Sequence, residues 1–140
     1  MNTRKMTSAE KEINKLKKLV STGNRIHLGF LIEYGFFDWV ENIHDVISEK
    51  KPLSFRFSYE DWYSGALTFI SIHKPDVHSE FTCLYRDEKN KESQQKLYDI
   101  SDFLFGNEIR RSHDYSLKVA AVKQNLESQL NMLEILKTEI

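Results

Sequence analysis

Apolar positions in this chain follow two competing periods. In "TSAEKEINKLKKLVSTG" Ile13, Leu16 and Val20, with Met6 and Ala9 before them, form a seam at helical spacing. Thr7 followed by Glu10 makes a capping box, and Gly23 is placed to end the helix. The next stretch, "IHLGFLIEYGFFDWVENI", fits both periods. Ile26, Leu28, Phe30, Ile32 and Tyr34 alternate as on a strand. Leu28, Leu31, Ile32, Gly35, Phe36, Trp39, Val40, Ile43 and Ile47 keep a three-four spacing. The longer period governs, so a second helix is predicted over 25–49, with Asn24 as its cap and a break near Gly35. Gly29 and Gly35 each cost such a helix about 1 kcal/mol relative to Ala. Small residues there would also let another backbone come close.

After Pro52 the texture changes. "LSFRF" and "EFTCLYR" alternate, and "GALTFISIH" is rich in Thr, Phe and Ile, with "KPD" and "RDEKNKESQ" as turn-like separators. "QKLYDI" could pair back on "FTCLYR". This predicts an antiparallel meander of three or four strands over 53–100. The competing reading is helical, with Ser58 capping one helix and Pro75 opening another. Ser101 is a cap for a short helix "DFLFGN". A long helix is predicted from about 113 to 139, opened by Ser112, because Val119, Val122, Leu126, Gln129, Leu133, Leu136 and Ile140 keep heptad spacing with one polar interruption.

The expected fold is therefore α+β in a single domain spanning 1–140: N-terminal helices, a small antiparallel meander and a long C-terminal helix, with an all-α bundle as the alternative. Composition does not change that picture. Hydrophobic residues are 40% and charged ones 29%, which is globular composition and not that of a disordered chain. The formal charge of −1 selects no polyanionic partner. It is unevenly spread, however: residues 1–22 carry six basic groups against Glu10 and Glu12, and 87–108 carry six acids against Lys89, Lys91 and Lys96. The lone Cys83 cannot close an internal disulfide, which points to the cytoplasm. No apolar run approaches the roughly 18 residues of a membrane span, and the N-terminus lacks the apolar core of a signal peptide.

Several short patterns touch on chemistry. Pro75-Asp76 followed by Asp87-Glu88-Lys89 resembles the PD…(D/E)xK pattern of metal-dependent nucleases. Eleven residues of strand span about 36 Å and eleven of helix about 16 Å, which would hold the acids apart. His73, His78 and Cys83 recur every five residues, a spacing that gathers them on neither a strand face nor a helix face, so no metal or cofactor is expected. Cys83 itself reads as a small core residue. "RRSHD" is a candidate anion site, in which Arg110, Arg111, Ser112 and His113 would meet free helix N–H groups. Arg4, Lys11, Lys15 and Lys18 share one face of the first helix and are the secondary, nucleic-acid candidate. "YEDWY" places Trp62 and Tyr63 as candidate interface anchors.

The functional expectation is a protein-binding or regulatory protein, not an enzyme, whose partner is another protein and which acts as a homodimer. Val119, Val122, Leu126, Leu133, Leu136 and Ile140 are the candidate dimer seam, with Gln129 facing its own copy. In size and element order the layout resembles small bacterial or phage adaptor, immunity or inhibitor proteins. An enzyme or ligand-binding protein for a phosphorylated substrate, using Arg110, Arg111 and His113, is the alternative.

Overall fold

The computed structural model describes residues 6–36, 43–86, 100–105 and 115–139. Among them there is no strand. The helices are α1 (Ser8–Glu33), α2 (Ile43–Lys50), α3 (Phe55–His73), α4 (His78–Tyr85), α5 (Ile100–Phe105) and α6 (Tyr115–Glu139), with a 3-10 turn at Pro75–Val77 before α4. The α+β expectation is thus overturned, and the chain takes the all-α alternative. α1 packs along both α3 and α6; α4 spans α3 and α6, and α5 packs on α6 and α4.

The meander fails for a physical reason. Phe55, Tyr59, Trp62, Ala66, Phe69 and Ile70 are all buried and recur at three-four spacing along α3. The alternation in "LSFRF" covers five residues, whereas this stripe covers sixteen, and a face that buries five large side chains outweighs strand propensity. Each such side chain contributes about 1.5–3 kcal/mol on burial. The cap is Ser54, whose hydroxyl accepts from the Phe57 N–H at 3.4 Å, and not Ser58. Pro75 opens the 3-10 turn, and "HSEFTCLY" is α4 with Phe81 fully buried. Ser101 lies inside α5 and does not cap it.

The N-terminal boundaries also shift. Thr7 caps α1 as expected, its hydroxyl accepting from the Glu10 N–H. Gly23 does not end the helix; it is buried in the middle of α1 against the Trp62 indole and Leu130. The two predicted helices are one as far as Glu33. Its end is set by Gly35 at φ 86°, where the Phe36 N–H reaches back to the Leu31 carbonyl at 2.8 Å. Gly29 serves close approach: a Cβ there would strike the Leu53 carbonyl, as the segment after α2 crosses α1 and Leu53 N–H bonds to Arg25 O at 3.0 Å.

The heptad seam of α6 is real, but its partners lie within the chain. Val119, Val122, Leu126, Leu133 and Leu136 are at most 5% exposed, and Leu130 beside them is buried too. Gln129 is fully buried. Its Oε1 accepts from the Tyr59 hydroxyl at 2.7 Å, and its Nε2 donates to the Phe81 carbonyl at 3.4 Å. The polar interruption therefore fixes α6 against α3 and α4, and the seam offered for a homodimer is covered by the chain's own helices. At one end of the core Phe30, Phe55 and Phe103 meet with ring centroids 5.0–6.2 Å apart. Arg56 ties α5 to α3 there, donating to the Leu104 carbonyl beside the Phe103 ring. No helix among the described residues is long and apolar enough to cross a membrane.

Candidate functional site

The outer edge of the α1–α3 contact is a groove of about 440 Å³ with a largely apolar lining. Residues of two helices, α1 and α3, line it. The Trp62 indole turns inward so that its N–H can donate to the Leu19 carbonyl at 2.8 Å, which leaves only an edge of the ring in the groove floor. Phe69, two turns further along the same face of α3, supplies the rest of the floor and lies tilted against His73, with ring centroids 4.2 Å apart. Gly65 adds no side chain, so the floor stays open between Leu19 and Ile72. Ile72 is 69% exposed. Phe57, on the same face of α3 four turns earlier, is 89% exposed.

The walls carry opposite charge. On α1 stand Lys15 and Lys18; on α3 stands Asp61. Glu12 also lines the groove, but it is engaged: it accepts from Lys15 at 3.1 Å and lies 2.7 Å from His73 Nε2. The His73 and Lys15 hydrogen bonds hold the Glu12 carboxyl below its ordinary range. A similar bridge ties α1 to α6, where His27 Nε2 lies 2.8 Å from Glu127 and Lys123 donates to the same carboxylate. Burial alone would raise Glu127, but the bonds from Lys123 and His27 outweigh it and lower the carboxyl.

The residues singled out from the sequence are distributed unevenly. Trp62 lies in the core and meets the groove only by its edge. Tyr63 is half-buried and stacks on Tyr85, with centroids 4.4 Å apart, and on Phe81 at 5.6 Å. Burial, then the neighbouring Tyr85 and Cys83, pushes its hydroxyl up to about 12. Cys83 is exposed, which corrects its reading as a core residue: Phe81, two positions earlier in α4, takes the buried place. His73 faces Glu12 while His78 is exposed at the start of α4. Arg110, Arg111, Ser112, His113, Ile140, Arg4 and the Asp87-Glu88-Lys89 stretch lie outside the described residues. Asp76 sits in the 3-10 turn.

Sequence reading missed Leu19, Gly65 and Ile72. The signal was present in the spacing of Phe57, Asp61, Gly65, Thr68 and Ile72, which share one helix face, but a strand assignment put them on alternate sides. No family model matches the chain, and neither a curated protein nor a solved structure shows significant similarity to it.

Proposed function

We propose that the protein is a protein-binding, regulatory component that acts as a homodimer through the α1–α3 face. The observation that carries this reading is an exposed apolar groove whose two walls have opposite charge. Such a surface is complementary to itself. A two-fold axis running along the groove lays α1 of one copy over α3 of the other at the same level. α1 and α3 run antiparallel, since Glu12 meets His73 at one end and Leu19 stands beside Gly65 further along. Lys18 is therefore level with about Ala66 and about one and a half helical turns from the level of Asp61, within reach of a lysine side chain. The same operation presents Lys18 of each protomer to Asp61 of its partner and brings Ile72 against the opposite groove. Burying Ile72 alone favours association by about 1.5–3 kcal/mol before the cost of ordering is counted. The single, exposed Cys83 fits a reducing compartment, and the cytoplasm is the proposed location.

Charge reversal tests the pairing. Lys18→Glu and Asp61→Lys should each weaken the dimer in sedimentation equilibrium, and the double variant should recover it. Two single variants that leave the dimer unchanged would overturn the proposal. So would a double variant no better than either single one.

A further inference from the structure

On another side of α1, sharing no residue with the groove, lies a cleft of about 790 Å³. Five basic side chains from three elements converge on it: Lys17 and Arg25 from α1, Lys50 and Lys51 at the end of α2, and Lys137 from the last turns of α6. Two carboxylates, Glu49 and Glu134, also line it, so the cleft is strongly basic in a chain whose formal charge is −1.

We infer that this cleft binds a compact polyanion carrying at least two phosphate groups. Three observations carry the inference. First, the charges are unspent: among the described residues, no carboxylate stands within ion-pair distance of Lys17, Lys50, Lys51 or Lys137, whereas Lys15, Lys74 and Lys123 are each paired. Five basic groups outnumber the two carboxylates of the lining, so the excess positive charge is self-repelling, and an anion between them relieves that cost. Second, the cleft is pre-formed. The Arg25 Nε donates to the Lys51 carbonyl at 2.8 Å, and the Lys51 N–H bonds back to Ile47. Together they hold Lys51 at φ 49°, where it is the one non-glycine residue at positive φ among those described. The Arg25 terminal nitrogens stay available for a phosphate fork. Third, the lining selects the ligand class. It holds no aromatic ring on which a base could stack, so recognition falls on the phosphates. Walls on three elements, and a volume within the range of about 300–1,000 Å³ for small-molecule sites, favour a compact ligand over a duplex.

Isothermal titration of the full chain with sodium tripolyphosphate, in about 150 mM KCl where the Debye length is about 8 Å, tests this. The expected result is saturable binding at one site per chain. Lys17→Gln and Lys137→Gln should each weaken it by about tenfold while circular dichroism confirms the helical fold. Lys11→Gln, the same charge change elsewhere on α1, should alter it by less than about twofold. Three results would overturn the inference: no saturable heat, equal loss in Lys11→Gln, or duplex DNA binding tighter than tripolyphosphate with the same dependence on Lys17 and Lys137.

Discussion

Gln129 shows how much one residue's role depends on what stands opposite it. Its place in a heptad seam was legible in the sequence, where the reading was a register-fixing contact between two copies. The spacing carries no information on whether the facing group belongs to another copy or to the same chain, and the Tyr59 hydroxyl supplies that answer. Removing that hydroxyl in Tyr59→Phe leaves a buried amide oxygen without its partner, which should cost about 1–3 kcal/mol in urea denaturation. Tyr59→Phe combined with Gln129→Leu should recover part of the loss, since both polar groups then go together. An unchanged midpoint in Tyr59→Phe would show that the bond carries no weight. Cys83 illustrates the opposite failure. Alternation in "FTCLYR" placed it inside with Phe81, but at helical spacing the two residues point about 200° apart.

At the scale of elements, the ends of α1 were legible where a particular side chain or backbone conformation fixes them: Thr7 at its start and Gly35 at its end. Gly23 misled because glycine serves close packing as well as termination, and only the neighbouring helices decide between them. α3 was misread for a related reason: its aromatic residues favour strands locally, while its stripe is apparent only over its whole length. The helices are also tied by two histidine–glutamate bridges, which predicts a pH dependence. The Glu12 and Glu127 carboxyls are held below their ordinary value of 4.5 in the folded chain. A carboxyl with a lowered folded pKa stabilises fully above its unfolded value, and that stabilisation is lost as the pH falls through the folded value. The urea midpoint should therefore decline below about pH 4.5, with no contribution to the slope from these groups near neutrality. Glu127→Gln should flatten part of that acid limb. An identical limb in the variant would remove the α1–α6 bridge from the account.

For the molecule as a whole, α6 is the central strut and the α1–α3 edge is the proposed outward contact. Leu126 and Leu133 are fully buried among α6's own partners. Replacing both with Asp places two carboxylates in an apolar interior at several kcal/mol each, against a total stability of about 5–15 kcal/mol. The double variant should lack helical circular dichroism; a folded monomer would mean that the seam is intermolecular after all. The groove makes the converse case. An ideal Cβ at Gly65 meets only a Leu19 methyl at 3.5 Å, an ordinary contact, so a long side chain there enters the groove without disturbing the core. Replacing a mid-helix glycine also favours the helix by up to about 1 kcal/mol. The most direct measurement is sedimentation equilibrium of the wild type and Gly65→Arg at tens of micromolar. The account predicts a wild-type dimer and a folded Gly65→Arg monomer with an undiminished helical spectrum. A monomeric wild type, or a Gly65→Arg variant that remains dimeric, would contradict it.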